Sequence, residues 1–202
     1  MATLYFYHDP MCSWCWGYRS VSDQIFAALP ENVELVKIVG GLAPDSNEPM
    51  PESLRQKLPM VWQEIHDLLG TEFNFDFWAQ CEPRRSTYPA CRAVLAAGEQ
   101  NRYDDMSDAI QRAYYLRAMN PSDVDTLVQL ATEMNLDVDR FTDDLASEKT
   151  EGSLRQQVEF SRQSPIDGFP SLTMDVGGTL VSVQRDYQDP KPTLSHISVL
   201  LQ

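Results

Sequence analysis

Hydrophobic and polar residues alternate with the period of a strand in some segments and with the period of a helix in others. At the start of the chain these patterns predict a strand, a helix and a second strand. Thr3–Tyr7 is β-branched and aromatic, which predicts a strand. Apolar side chains then recur at helical spacing from Trp16 to Leu29, and Pro30 ends the predicted helix. Val33–Val39 predicts a second strand, ended by Gly40-Gly41. This order is typical of two parallel strands joined by a right-handed crossover.

The middle of the chain has helical periodicity and no convincing strand from Ala43 to about Gln163. The apolar stripe of its first helix comprises Leu54, Leu58, Val61, Ile65 and Leu68. Pro59 lies inside that stripe and is expected to kink or divide the helix. Further helices are predicted over residues 89–97, 106–117, 127–134, 141–145 and 154–160, with Ser122 to Asp125 as an N-cap before the third of these.

Strand signals return near the end of the chain. Ser171–Val176 and Thr179–Val183 flank Gly177-Gly178, a pair that favours a hairpin turn, and a terminal helix follows over Thr193–Leu201. Because strands lie on both sides of the helical block, we predict an α/β fold with order βαβ…ββα. Residues 1–42 and 164–202 would form one sheet domain, and residues 43–163 an inserted all-helical domain.

The composition of the chain limits the kinds of molecule that the protein is expected to bind. The chain has 202 residues, 43% of them hydrophobic and 23% charged, which is typical of a globular protein. Its 30 acidic and 16 basic side chains give a net charge of −14, which opposes binding to nucleic acid and to anionic membranes. No basic segment precedes a long apolar run near the start, and no run approaches a membrane span. We therefore expect a cytoplasmic location.

The candidate chemistry is the motif Cys12-Ser13-Trp14-Cys15, which comes directly after the first strand and begins the first helix. The first turn of a helix has unpaired N–H groups and a partial positive charge, so a thiolate at Cys12 would be stabilised there. Cys15 lies within reach across one helical turn. We predict that Cys12 attacks a disulfide as the nucleophile and that Cys15 resolves the mixed disulfide.

Two other interpretations of these cysteines are a zinc half-site and inert buried thiols. Zinc in a structural site takes four ligands, and the chain has no second C-x-x-C motif. The remaining cysteine and histidine residues are scattered: Cys81, Cys91, His8, His66 and His196. We predict no metal site. Cys81 and Cys91 are either an auxiliary redox pair or, as we favour, unrelated small apolar residues.

A second motif, Gly168-Phe169-Pro170-Ser171, precedes the third predicted strand. A plain trans turn is its ordinary interpretation, but beside a C-x-x-C motif a cis Pro170 next to the reactive sulfur is expected. The backbone of Phe169 would then pair with an extended substrate. Within the cysteine motif, Ser13 is predicted to offer a hydroxyl hydrogen bond to the thiolate, and Trp14 an exposed apolar surface for the substrate.

These motifs together resemble one family. Asp9 to Gly17, Tyr88 to Ala93 and Gly168 to Ser171 are similar to DsbA-like proteins of the thioredoxin superfamily, and most similar to their FrnE-like branch. The resemblance implies a thioredoxin fold interrupted by a helical domain. It also implies that Cys12 is the nucleophile, Cys15 the resolving cysteine and Pro170 the cis-proline facing them.

The chain departs from the secreted members of this family, which usually have Pro-His between the cysteines where this chain has Ser-Trp. A sister branch resembles 2-hydroxychromene-2-carboxylate isomerases and kappa-class glutathione transferases, and usually has serine at the position of Cys12. Because both cysteines are present here, disulfide exchange with protein or small-molecule thiols is the favoured function. No resident cofactor is predicted, and glutathione is a candidate co-substrate. The alternatives are a glutathione-dependent isomerase or transferase and a partner-binding module without activity.

Overall fold

The computed structural model describes residues 2–202 and is organised around a four-stranded mixed sheet with strand order β2-β1-β3-β4. Its strands are β1 (Ala2–His8), β2 (Val33–Val39), β3 (Ser171–Val176) and β4 (Thr179–Val183). Strand β1 pairs with β2 in parallel and with β3 antiparallel, and β3 pairs with β4 antiparallel. The predicted α/β order βαβ…ββα with inserted helices is therefore confirmed.

Two helices cover one face of this sheet, α1 (Ser13–Ala27) and α9 (Pro190–Leu200). Helix α1 is the crossover that a parallel β1–β2 pair requires. The core between this face and the two helices consists mainly of Leu4, Phe6, Tyr18, Val21, Ile25, Leu172, Met174, Val183 and Ile197. Burial of these apolar side chains fixes α1, and with it the start of α1, against the end of β1.

The helical block between β2 and β3 has its own core. Its helices are α2 (Glu52–Leu69), α3 (Phe77–Gln80), α4 (Tyr88–Gly98), α5 (Tyr103–Leu116), α6 (Val124–Glu133), α7 (Val138–Leu145) and α8 (Glu148–Gln163). Helix α4 is central, because six of its small or branched residues are fully buried. Met11 and Val39 also belong to this core, so the two cores meet beside the cysteine motif. The domain boundaries after residues 42 and 163 stay a prediction.

Three local expectations were wrong in part. Helix α2 continues through Pro59 and is not divided, because proline removes only one ladder hydrogen bond while Trp62 and Ile65 hold the next turns in the core; a kink at Pro59 stays a prediction. Of its predicted apolar stripe, Ile65 is fully buried, whereas Leu68 is 51% exposed. At α6 the N-cap residue is Asp123, whose carboxylate pairs with Arg84 and makes no capping bond, and the hydroxyl of Ser122 donates to the carbonyl of Ser86 in the loop between α3 and α4.

Helix α3 escaped the sequence analysis because four residues are too few to display a periodicity. Within residues 2–202, no helix combines the length and the apolar character that a bilayer span requires.

Candidate active site

Cys12 is the N-cap residue of α1. Its backbone is extended, with φ −84° and ψ 115°, and its N–H donates to the carbonyl of Asp9 at 3.0 Å. The amide N–H of Cys15 donates to the sulfur of Cys12 at 3.4 Å. The sulfur therefore takes the place of the side-chain oxygen that usually caps a helix. The amides of the first helical turn therefore point their N–H groups toward the side of α1 on which this sulfur lies.

The Phe169–Pro170 loop lies directly against this sulfur. The Phe169–Pro170 peptide bond is cis. The thiol of Cys12 donates to the carbonyl oxygen of Phe169 at 3.3 Å, although the two residues are 157 positions apart. The tertiary structure thus brings together three residues that the sequence analysis placed in the site from two separate motifs.

Cys15 lies beneath Cys12 on the inner side of α1. Cys15 is 4% exposed and Cys12 is 6% exposed, so both residues are nearly covered. Burial, and next the neighbouring Cys12, raise the pKa of the Cys15 thiol well above its usual value. Cys15 is thus held as a thiol. All four cysteines of the chain are free.

Ser13 and Trp14, the residues between the two cysteines, are anchored by other aromatic residues. The Ser13 hydroxyl oxygen accepts a hydrogen bond of 3.0 Å from the indole N–H of Trp62, and donation of its O–H to the Cys12 sulfur stays a prediction. Trp14 is half-buried and packs edge-to-face on Tyr187, with ring centroids 5.1 Å apart. Their role in substrate binding stays a prediction.

Asp9 is a fully buried carboxylate that ties the cysteine motif to the helical block. One carboxylate oxygen accepts a hydrogen bond of 2.8 Å from the amide of Met11. The other oxygen accepts from the amide of Leu42 and from the hydroxyl of Thr87, both at 2.7 Å. The same oxygen accepts from the thiol of Cys91 at 3.6 Å. Burial raises the pKa of Asp9. The Asp9-Pro10 pair before the cysteine motif is typical of a turn. Nothing in the sequence, however, indicates that Asp9 would contact Thr87 and Cys91.

His8, at the end of β1, is also buried. Its Nε2 atom lies 2.9 Å from the hydroxyl of Tyr103. Burial, followed by the nearby Lys37 ammonium, lowers the pKa of His8 to about 4. At neutral pH this imidazole is therefore uncharged.

A groove opens on the outer side of Cys12. It has a volume of about 210 Å³ and is lined by Cys12, Phe169 and Trp14 together with apolar side chains of α2 and the loop before it. Those apolar residues include Met50, Leu58 and Val61. A substrate bonded to the Cys12 sulfur would extend into this groove.

Two arginines of the loop between α3 and α4, Arg84 and Arg85, also line the groove. Arg84 is engaged with the protein, since it pairs with Asp123 and donates to the carbonyl of Ser122 at 2.8 Å. From the sequence alone, both residues are predicted only to lie in a loop. Their adjacency was visible, but their position beside Cys12 depends on the packing of the helical block.

Cys81 and Cys91 each have a separate partner. The thiol of Cys81 donates to the carbonyl of Ala118 at 3.0 Å, whereas that of Cys91 faces Asp9. Burial raises the pKa of both thiols. In the described part of the chain, no three His, Cys, Asp or Glu residues are grouped so that they could hold a metal ion.

Comparison with solved structures places this fold among disulfide-exchange proteins. A candidate protein disulfide isomerase from Nitrosomonas europaea superposes with a TM-score of 0.86 at 26% identity, covering 100% of this chain and 98% of that one. The cytosolic disulfide reductase DsbM from Pseudomonas aeruginosa superposes with a TM-score of 0.78 at 22% identity, covering 98% of both chains. DsbM has also been solved with GSH.

The curated relatives have a different name. The ClpXP adapter protein SpxH from Halalkalibacterium halodurans is 24% identical over 175 residues, and the match covers 84% of this chain. SpxH from Bacillus subtilis is 24% identical over 173 residues, with the same coverage. In both cases the chain spans 57% of the length of the relative it matches.

The family model described as "DSBA-like thioredoxin domain" matches residues 3–188, a span that contains the cysteine motif, the helical block and the Phe169–Pro170 loop. The chain therefore belongs to the DSBA-like thioredoxin domain family.

Proposed function

We propose that this protein is a thiol–disulfide oxidoreductase in which Cys12 is the nucleophile and Cys15 the resolving cysteine. The observation that carries the proposal is the position of the Cys12 sulfur. It caps α1, accepts the amide of Cys15 and lies 3.3 Å from the carbonyl of Phe169. Membership in a family of redox proteins supports the same reaction class.

The reaction consists of two exchanges. The Cys12 thiolate attacks one sulfur of a substrate disulfide; a Cys12–substrate disulfide forms, and the other substrate sulfur leaves as a thiolate and takes a proton from water. Cys15 then loses its proton and attacks Cys12, so the second substrate sulfur leaves. The substrate disulfide gains two electrons, and the cysteine pair becomes a disulfide. Two molecules of an external thiol restore the pair.

The Phe169 loop supplies the surface along which an extended substrate would lie. Phe169 is half-buried beside the groove, and its carbonyl is already next to Cys12. Extended chains bind to exposed backbone through main-chain hydrogen bonds. In this proposal Trp14 packs on the substrate and Ser13, held by Trp62, positions the first turn of α1.

Substitution of each cysteine tests the two assigned roles. Cys12→Ala should abolish the reduction of insulin with dithiothreitol, whereas Cys15→Ala should form a mixed disulfide that persists and is visible by mass spectrometry. Cys81→Ala is the matched control, since Cys81 lies outside the groove and should leave the rate unchanged. A rate equal to background for the unmodified protein would overturn the proposal.

For the source of electrons we propose a small cytoplasmic thiol such as glutathione. The similarity to DsbM, a cytosolic reductase solved with GSH, supports this choice. A glutathione-dependent isomerase or transferase would differ in one respect: it would need glutathione but tolerate the loss of Cys15. Activity of the Cys15→Ala variant in a glutathione-conjugation assay would favour that alternative.

A second candidate function is that of a binding adapter, because the matched curated relatives are ClpXP adapters. Helices α2–α8 would then form the surface that contacts the partner protein. The discriminating experiment combines the insulin assay with a degradation assay containing purified ClpXP and a candidate client. Stimulated degradation by a Cys12→Ala, Cys15→Ala protein would support the adapter and count against the redox role.

A further inference from the structure

We propose that Arg85 binds a carboxylate of the small disulfide that reacts with Cys12, so that the groove selects carboxylate-bearing low-molecular-weight substrates. This inference rests on the proposed function, because it concerns the same groove. It adds a substrate class and a specificity-determining residue.

The position of Arg85 is the first argument. Arg85 lies on the loop between α3 and α4 and lines the groove together with Cys12 and Phe169. Tyr114 also lines the groove. Burial raises the pKa of Tyr114, and the charge of the nearby Arg85 acts against that rise.

The bonding of the two neighbouring arginines differs. Arg84 pairs with Asp123, and its remaining contact goes to the carbonyl of Ser122. Arg85 forms neither an ion pair nor a hydrogen bond with any side chain or carbonyl between residues 2 and 202. It is nevertheless half-buried. A partly desolvated cation gains most from a counter-ion that arrives with a ligand.

The positive charge of Arg85 contrasts with the strongly negative charge of the whole chain. The net charge is −14, so most of the surface repels anionic molecules. A guanidinium without a carboxylate partner beside the nucleophile offsets that repulsion where the reaction occurs. Arginine presents a planar fork of N–H donors that matches a carboxylate with two parallel hydrogen bonds.

The size of the groove limits the ligand. A volume of about 210 Å³ suits a small molecule or a few residues. Met50, Leu58 and Val61 provide an apolar wall for the carbon skeleton, while Arg85 provides a charge that no residue from 2 to 202 pairs with. A disulfide of a short peptide-like thiol that ends in a carboxylate, such as glutathione disulfide, has this combination.

The reaction with such a ligand is the reverse of the step in which two glutathione thiols restore the cysteine pair, so one site serves both directions, and it balances without another component. The Cys12 thiolate displaces one glutathione, which leaves as a thiolate and is protonated by water, and a Cys12–glutathione disulfide forms. Cys15 then displaces the second glutathione in the same way. One disulfide has been reduced to two thiols, and the Cys12–Cys15 dithiol has been oxidised to a disulfide.

The test is the second-order rate at which two disulfides oxidise the reduced protein. The probes are glutathione disulfide, which bears carboxylates, and bis(2-hydroxyethyl) disulfide, which bears none. Arg85→Gln should slow oxidation by glutathione disulfide by about tenfold to a hundredfold, the range expected for losing a charge-assisted hydrogen-bonded pair. Oxidation by the neutral disulfide should change by no more than about twofold.

Two further variants separate this effect from unfolding and from net charge. Arg162→Gln removes the same charge from an exposed position on α8 that is outside the groove, and should leave both rates unchanged. Arg85→Lys keeps the charge but not the two-pronged geometry, and should restore part of the rate with glutathione disulfide.

The outcomes distinguish the two proposals. Equal slowing of both disulfides by Arg85→Gln, or no slowing, overturns the carboxylate site while disulfide exchange stands. An equally large loss in insulin reduction overturns the restriction to small molecules. If neither disulfide oxidises the unmodified protein faster than the Cys12→Ala variant, the proposed function fails and the carboxylate site fails with it.

Discussion

The thiol of Cys12 donates a hydrogen bond of 3.3 Å to the carbonyl oxygen of Phe169, which is 157 residues further along the chain. This contact joins the start of the first helix to the loop before the third strand. It means that the reactive sulfur and the surface proposed for the substrate have a fixed relative position. Residues that hold the Phe169 loop in place should therefore affect catalysis without touching either cysteine.

Gly40 is such a residue. A Cβ atom at Gly40 would lie 2.0 Å from the ring of Phe169, and the backbone of Gly40 does not use the left-handed conformation that favours glycine. Gly40→Ala should therefore displace the Phe169 ring and lower the rate of disulfide exchange by about tenfold, as small misplacements of a reacting centre do. Single-turnover oxidation kinetics measure the effect.

Gly152→Ala is the control for that substitution. Gly152 lies inside α8, and a Cβ atom there would meet open space. The change should leave the exchange rate unaltered and raise the free energy of unfolding by about 0.5–1 kcal/mol, because alanine is the better helix former. Equal kinetics for the two variants would show that the loop tolerates displacement.

Trp62 should stabilise the cysteine motif through one hydrogen bond. It is fully buried, stacks on Phe73, and donates its indole N–H to the hydroxyl oxygen of Ser13. Trp62→Phe should lower the free energy of unfolding by about 1–3 kcal/mol, since it removes both ring volume and the bond to Ser13. Urea denaturation measures this loss.

Trp78→Phe is the matched comparison for Trp62. The indole N–H of Trp78 is buried, and within the described residues it has no hydrogen-bond partner. Its replacement removes ring volume without breaking a bond. A loss as large as that of Trp62→Phe would mean that the Ser13 bond contributes nothing to stability.

His8 should make the protein less stable in mild acid. Burial lowers its pKa from 6.5 to about 4 in the folded protein, so the unfolded chain binds more protons between those values. Stability therefore rises with pH across this window and is lost as pH falls. The contribution of His8 between pH 7 and pH 5 is about 2 kcal/mol by proton linkage.

The measurement is the free energy of unfolding at both pH values for the unmodified protein and for His8→Gln, which should show a smaller loss in acid. His66→Gln is the control, because His66 is exposed and should retain the full pH dependence. An unchanged pH dependence in the His8 variant would mean that carboxylates alone account for it.

The cysteines should differ in their reaction with iodoacetamide at neutral pH. Cys12 borders the groove and caps a helix, whereas Cys91 is fully buried. Burial, followed by the charge of Asp9, raises the pKa of Cys91 well above its usual value. Mass spectrometry should find Cys12 modified first and Cys91 only in urea. Rapid modification of Cys91 in the native protein would contradict the packing around Asp9.

Much of the fold followed from local patterns. The predicted bounds of Val33–Val39, Ser171–Val176 and Thr179–Val183 agree with the strands of the structure. Strand formation at these segments is favoured by their own β-branched residues and by the glycines beside them. Because these signals depend only on neighbours along the chain, the sequence predicts the strands correctly. Pro59 does not divide α2, because the packing of Trp62 and Ile65 outweighs the loss of one backbone hydrogen bond.

By itself, the sequence determined that a C-x-x-C pair begins the first helix after a strand, and that helices interrupt the sheet. Those properties depend on neighbours along the chain. Only the tertiary structure decided that Phe169 meets Cys12, that Gly40 leaves room for the Phe169 ring, and that Arg85 borders the groove beside Cys12. Such contacts join segments far apart in the chain, and they exist only after both cores have packed, because no local propensity encodes which distant surfaces will meet.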